Sequence, residues 1–176
     1  PGTTRIGYGL IESKGGDFQP LDYGLIEISP GGSTKKLLEL GDRFEKLLKK
    51  LKPDSLAIEE VYFSKNQKTA ISVAEARGAM RLIAARLKTP IFEYGPQEVK
   101  LAVTGDGRAD KISVKTMVCK TLKLQNIEGP DDIADAISIL GRLADEFVPG
   151  EDQDTYEPTL GASGYDGGMF GGDGNW

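Results

Sequence analysis

Apolar residues recur first with the spacing of strands and then with that of a helix. Residues 5–11 and 21–28 are rich in Ile, Leu and Tyr and flank Gly15-Gly16-Asp17, which predicts a β-hairpin. A break at Pro30-Gly31-Gly32 follows, and Ser33 or Thr34 is suited to cap the next element. That element is predicted to be an amphipathic helix, from apolar residues at three- and four-residue steps: Leu37, Leu40, Phe44, Leu47 and Leu51.

The chain then alternates short strands with helices. Residues 55–59 and 90–94 have the length and composition of short, buried strands. Helices are predicted at residues 67–87, 96–102, 109–122 and 131–147. Two strands followed by alternating strand and helix indicate an α/β architecture. The alternation ends near residue 148, so we expect one domain over residues 1–148.

Residues 149–176 differ in composition from the domain before them. They consist mostly of Gly, Asp, Ser and Thr with isolated aromatics, which predicts a disordered tail. From Ala144 onward there are eight acids and no Lys or Arg. The formal charge of -5 therefore hides a mildly basic body, with 22 basic and 19 acidic residues and a net charge of +3. A solvated terminus and a segment that masks the basic body or binds a partner both remain open.

The residue types that are absent exclude several classes of chemistry. With no histidine, neither a Ser-His-Asp nor a Cys-His mechanism is possible, and the lone Cys119 excludes an intrachain disulfide and zinc-finger spacing. No apolar run approaches the roughly 20 residues of a membrane span, and no signal peptide opens the sequence. We therefore expect a cytoplasmic protein with no membrane partner. Any catalysis must use carboxylates, lysines or metal ions.

Three acids are candidates for a metal site. Glu59 closes an apolar strand, while Asp132 and Asp135 are three residues apart and so share one face of the last helix. Hard divalent cations take oxygen ligands, and a pair of them promotes phosphodiester cleavage. However, Asp131 and Asp132 also suit a helix N-terminus by favouring its dipole. The spacing alone leaves both interpretations open.

Several stretches, in the same order along the chain, resemble the RuvC-type Holliday junction resolvases of the ribonuclease H-like superfamily. The first resembles the family's Asp-Pro-Gly and Gly-Tyr-Gly segment, the second its central acidic motif, and the last its final acidic motif. In this chain they are Pro1–Ile11, Ala57–Asn66, Ala76–Gly78, Glu93–Tyr94, Val99–Gly105, Ala109–Val118 and Asp132–Ala136. These motifs are distributed in the family's order through nearly the whole of residues 1 to 143.

The resemblance implies an α/β, ribonuclease H-like fold: a mixed β-sheet flanked by helices on both faces. It also places the family's first catalytic aspartate, and the central strand that carries it, immediately before Pro1. Neither is present in the sequence given, which we interpret as an N-terminally truncated nuclease domain. We expect the chain as given to lack the central strand of the sheet and to bind metal poorly.

The resemblance also assigns roles to individual residues. It implies that Glu59, Asp132 and Asp135 are three of four metal-binding, catalytic acids, and that Lys111, with Lys100, contacts phosphate near the scissile bond. Residues implied to bind DNA are Tyr62, which would stack on a base at the junction, Lys65, Asn66 and Arg77. Simpler interpretations remain open: solvated charges for the lysines, a core position for Tyr62, and a bridge from helix to sheet for Arg77.

The function implied by the resemblance is Holliday junction resolution during recombination and DNA repair. A homodimer would nick two strands of like polarity symmetrically, with two Mg²⁺ or Mn²⁺ ions per active site. Its implied partners are four-way junction DNA and a branch-migration motor of the RuvA and RuvB type. Two alternatives are another ribonuclease H-like nuclease, such as one that processes ribosomal RNA precursors, and a junction-binding protein that does not cut.

Overall fold

The chain begins with a long β-hairpin, β1 (Arg5–Lys14) and β2 (Asp17–Glu27). The computed structural model describes residues 4–14, 17–60, 67–127, 129 and 131–146, without the side chains of 67–69 and 141–146. Antiparallel pairing runs from Arg5↔Glu27 to Lys14↔Asp17, so both strands extend further toward the turn than the predicted runs of residues 5–11 and 21–28. The predicted hairpin is confirmed, while its turn glycines and the predicted tail lie outside the described residues.

The rest of the described chain alternates helices with two short strands, as predicted. The elements are α1 (Ser33–Leu51), β3 (Leu56–Glu59), α2 (Gln67–Arg86), β4 (Ile91–Tyr94), α3 (Pro96–Thr104), α4 (Lys111–Thr121) and α5 (Asp131–Glu146). None of the helices in the described residues is long and apolar enough to cross a membrane.

The start of α1 differs from the prediction. Gly32 is the N-cap residue and makes no side-chain capping bond, so neither Ser33 nor Thr34 caps this helix. Ser33 is instead the first helical residue, and its hydroxyl donates to Glu75 Oε2 of α2 at 3.4 Å. The predicted cap is therefore wrong because the serine side chain is directed to the neighbouring helix.

Helices cover both faces of the hairpin, as the resemblance implied. On one face, Ile6, Ile26 and Ile28 pack against α1 and α2; the helix residues of this cluster are Leu40, Phe44, Leu48, Ala76, Met80 and Ala84. On the other face, Ile11, Phe18, Tyr23 and Leu25 pack against α4 and α5; the buried residues of this second cluster are Val114, Val118, Leu122, Ile127, Ile133, Ala134 and Ile137. The hairpin is thus the middle layer of an α/β/α arrangement.

The strands form two separate pairs within the described residues. β1 pairs with β2, whereas β3 pairs in parallel with β4 from Leu56↔Ile91 to Glu59↔Tyr94. A cavity of about 460 Å³ is lined by most of β1 and by all of β3, together with residues from α1 and α5. Antiparallel and parallel pairs are both present, as in a mixed sheet. The cavity lies between the two strand pairs, next to β1 and β3.

Candidate active site

The three predicted acids line the same cavity. Glu59 is the last residue of β3, and Asp132 and Asp135 lie in the first turns of α5, one helical turn apart. All three are partly or fully exposed to solvent, as carboxylates that meet a ligand must be. The fold therefore brings together side chains that are more than 70 residues apart in the sequence.

Two glycines of β1 set how closely α5 approaches the hairpin. A Cβ atom on Gly7 would lie 1.8 Å from the backbone carbonyl oxygen of Asp132, a distance that no side chain tolerates. A Cβ on Gly9 would lie 2.7 Å from Ile137 Cγ1, one turn further along α5. Glycine at position 7 thus allows the first turn of α5, which carries the acids, to rest directly on the strand.

Each of the two α5 carboxylates has a cationic partner. Lys111 Nζ, at the start of α4, donates to Asp135 Oδ2 at 3.3 Å. Arg5 Nη2, at the start of β1, lies 3.6 Å from Asp132 Oδ2. The charge of Asp135 and its hydrogen bond raise the pKa of Lys111, with smaller contributions from Asp131 and Asp132. Lys111 is therefore fully charged at neutral pH.

The donor set suits a hard divalent cation in its chemistry. All three candidate ligands offer carboxylate oxygens, which Mg²⁺ and Mn²⁺ prefer. Within the described ranges, however, no three acids gather closely enough to hold one ion together. Asp132 and Asp135 are instead engaged with Arg5 and Lys111. The residues fit a metal site whose ions would have to compete with these two side chains.

Lys100 lies on α3, near the beginning of α4. The side chain of Asp110 caps α4 by accepting from Ser113 N at 2.7 Å, and this bond is the main cause of a lowered pKa at Asp110. The charge of Lys100 contributes to the same lowering. The charge of Lys100 therefore lies near the N-terminus of α4, and only Lys111 of the two lysines contacts a candidate acid.

Arg77 makes the bridge between helix and sheet that the sequence left open. Its Nη2 atom lies 2.9 Å from Glu93 Oε2, so α2 is tied to β4, and its side chain is only 16% exposed. Arg81 Nε lies 3.1 Å from the other oxygen of Glu93. Three further predicted DNA-binding residues, Tyr62, Lys65 and Asn66, lie outside the described residues.

Arg5 is a site residue that the sequence interpretation missed. Arg5 lies within the motif Pro1–Ile11, which assigns it no role, and its proximity to Asp132 arises from the packing of α5 on β1, which periodicity does not report. The close approach of α5 at Gly7, in contrast, could have been predicted from the sequence. Glycine inside a strand often marks a place where another backbone comes near. Gly7 and Gly9 are two residues apart in β1 and so lie on the same face of the strand.

Comparison with known proteins identifies the family. A family model described as crossover junction endodeoxyribonuclease RuvC matches residues 1–140. The chain belongs to the RuvC family. It is 45% identical over 141 residues to RuvC of Caldicellulosiruptor saccharolyticus, covering 79% of this chain and 85% of that one. RuvC of Petrotoga mobilis is 44% identical over 139 residues, or 78% and 85% of the two chains.

Solved RuvC structures share the fold. A Thermus thermophilus RuvC structure aligns with a TM-score of 0.72 and 31% identity, covering 81% of this chain and 88% of that one. T. thermophilus RuvC in complex with a Holliday junction substrate aligns with a TM-score of 0.76 and 30% identity, covering 81% and 87%. These matches confirm the ribonuclease H-like fold and an endonuclease family. RuvC enzymes are metal-dependent nucleases, which agrees with the all-carboxylate donor set.

Proposed function

We propose that this RuvC family member is a Holliday junction resolvase that cuts four-way DNA junctions during recombination and repair. The observation that carries the proposal is that Glu59, Asp132 and Asp135 line one cavity, in a chain that matches the family over residues 1–140. In this proposal the enzyme nicks two strands of like polarity at symmetric positions. Its place of action is the cytoplasm, and it works with a branch-migration motor of the RuvA and RuvB type.

The proposed cofactor is a pair of Mg²⁺ ions in each active site, for which Mn²⁺ can substitute. Glu59, Asp132 and Asp135 would hold them, with a fourth acid supplied ahead of Pro1. A bound divalent cation would supply Lewis-acid stabilisation of charge on the phosphate oxygens. Lys111 and Lys100 would supply positive charge at the same phosphate.

The proposed DNA contacts extend beyond the acids. Tyr62 would stack on an unpaired base at the junction, and Lys65 and Asn66 would contact the adjacent backbone. Arg77 would have to exchange its Glu93 partner to reach DNA, and its 16% exposure favours the bridge as its main role. We therefore propose a smaller contribution to DNA binding for Arg77 than for Tyr62, Lys65 and Asn66.

The proposed assembly is a homodimer formed through α2. An apolar stripe runs along the exposed side of this helix: Ile71 is 60% exposed and Leu82 is 54% exposed, with exposed Ala74, Gly78 and Ala85 on the same face. Small residues allow two helices to approach closely, and burying exposed Ile and Leu favours association. Two sites related by a two-fold axis suit a junction of near two-fold symmetry.

A cleavage assay on defined substrates tests the proposal. The protein is incubated with Mg²⁺ and a synthetic four-way junction, a linear duplex of the same sequence, or a structured RNA. We expect paired nicks at symmetric positions in the junction, formed slowly because the chain as given is expected to bind metal poorly, and still less cutting of the other two. Preferential cutting of RNA would favour the alternative ribonuclease H-like activity, and tight junction binding without cutting would favour a binding protein.

A further inference from the structure

We propose that Arg5 is a phosphate-contact residue of the active site, held on Asp132 until a metal ion displaces it. The inference rests on the proposed function, because it requires both a metal site at the acids and a DNA substrate. Arg5 is 56% exposed and its guanidinium lies 3.6 Å from Asp132 Oδ2. None of the resemblance motifs assigns it a role.

The backbone of Arg5 is fixed, which gives its side chain a defined starting point. Arg5 pairs with Glu27 in the hairpin, and Ile28 N donates to the carbonyl oxygen of Thr4 at 2.8 Å, one residue before it. Side chains two residues apart in a strand share a face, so Arg5 lies on the same face as Gly7. That face meets the first turn of α5, where Gly7 allows contact with the backbone of Asp132.

The ion pair between Arg5 and Asp132 is too weak to be chiefly structural. At 3.6 Å between partly exposed groups, such a pair stabilises a fold very little. The close contact at Gly7 already fixes α5 on β1 without it. A weak pair of this kind is easily exchanged for a divalent cation, which binds a carboxylate more strongly than a solvated guanidinium does.

The balance of charge gives the exchange a direction. Without metal, Arg5 and Lys111 neutralise Asp132 and Asp135. When cations occupy the carboxylates, both side chains are released next to the site and leave positive charge for a phosphate. A guanidinium matches a phosphate with two parallel hydrogen bonds, which a lysine cannot reproduce. Arg5 would therefore add orientation where Lys111 adds charge.

Substituting Arg5 should change the affinity for metal and the affinity for junction DNA in opposite directions, which distinguishes this role from a structural one. In Arg5→Gln, Mn²⁺ affinity should rise about three- to tenfold, since a competing cation a few ångströms from the ion is removed. Junction affinity, measured with Ca²⁺ in place of Mn²⁺, should fall about tenfold, and the salt dependence of binding should decrease by about one ion. A structural tie would instead lower both affinities together with the melting temperature.

The measurements are Mn²⁺ titration followed by electron paramagnetic resonance and junction binding by fluorescence anisotropy over a range of salt. Arg43→Gln is the matched control: Arg43 is 52% exposed and pairs with Glu39 on α1, away from the acids, so both affinities should stay within about twofold. Arg5→Lys should retain the salt dependence and lose part of the junction affinity.

Two results overturn the inference in distinguishable ways. If the unsubstituted chain binds Mn²⁺ and prefers junctions but Arg5→Gln lowers both affinities or neither, this inference alone fails. If the unsubstituted chain shows neither Mn²⁺ binding nor junction preference, the proposed function fails and this inference with it. Should Arg5→Gln fold poorly, Asp132→Asn provides the second variant. It should strengthen metal-free junction binding by releasing Arg5, and unchanged or weaker binding contradicts the inference.

Discussion

The carboxylate of Glu59 lies at the end of β3, on the wall of the cavity that Asp132 and Asp135 also line. We expect Glu59→Gln to reduce junction cleavage at least about 100-fold, because losing even an indirect partner of a metal ligand costs 10- to 100-fold. Junction binding should remain within about twofold, since the substitution removes no positive charge. Cleavage of a labelled four-way junction and anisotropy of the same junction measure the two effects.

Glu60 provides the matched control for this experiment. It is the next residue, directly after the end of β3, and it does not line the cavity. Glu60→Gln changes the formal charge by the same amount and should leave cleavage almost unchanged. Equal loss of cleavage in both variants would show that the local negative charge matters and not the position of Glu59.

The pKa of Lys111 responds to the charge of Asp135. The carboxylate stabilises the ammonium form and raises this pKa, so Asp135→Asn should lower it, as measured by NMR titration of the lysine side chain. A lysine with a raised pKa contributes stability at pH values below its unfolded pKa, and this contribution disappears as pH rises through the folded pKa. The pair is therefore fully formed at neutral pH. A Lys111 pKa that stays constant in Asp135→Asn would contradict the contact.

At the scale of elements, the position of α5 depends on its contact with β1. Gly7→Ala should destabilise the fold by about 1 to 3 kcal/mol, because a methyl group at this position meets backbone and the whole helix must shift. Gly9→Ala should cost less, since its nearest atom belongs to the side chain of Ile137. Urea unfolding followed by circular dichroism measures both changes.

A Gly→Ala substitution within a helix should change the stability in the opposite direction and serves as the control. A Cβ on Gly41 of α1 would meet only Ile83 Cδ1 at an ordinary 3.5 Å. Gly41→Ala should therefore stabilise the protein by about 0.5 to 1 kcal/mol, as alanine is the better helix former. If Gly7→Ala were also stabilising, the close packing of α5 on β1 would be wrong.

The sequence predicted the elements better than their contacts. Apolar periodicity located the hairpin and the five helices of the described residues, because local spacing reports which face of each element is buried. It failed at Ser33, whose hydroxyl bonds to Glu75 of another helix. It also had no means of linking Arg5 to Asp132, since that pair depends on how α5 packs on β1. Contacts distant in sequence follow from packing. Spacing alone singled out Glu59, Asp132 and Asp135 but left their role open, and the family motifs favoured a metal site.

For the whole molecule, the exposed stripe on α2 predicts a dimer. Leu82→Glu would place a charge in the proposed interface and should convert the dimer to a monomer, measured by sedimentation velocity. Leu101→Glu is the control, because Leu101 is 56% exposed, much like Leu82 at 54%, but lies on α3. A monomeric unsubstituted chain, or equal dissociation by both variants, would remove α2 as the interface.

The cavity between β1 and β3 predicts what an added strand would do. The two strands face each other across about 460 Å³, and the acids lie on its lining. We expect an extended apolar segment ending in Asp, fused directly ahead of Pro1, to pair with both strands and place a fourth carboxylate beside Glu59. Each aliphatic side chain it buries would add about 1.5 to 3 kcal/mol of transfer free energy. The melting temperature and Mg²⁺-dependent junction cleavage should both rise.

The same segment ending in Asn should raise the melting temperature equally but leave cleavage low, since it fills the cavity without adding a metal ligand. If the two segments increased cleavage equally, the gain would come from folding alone, and the requirement for a fourth acid would be wrong.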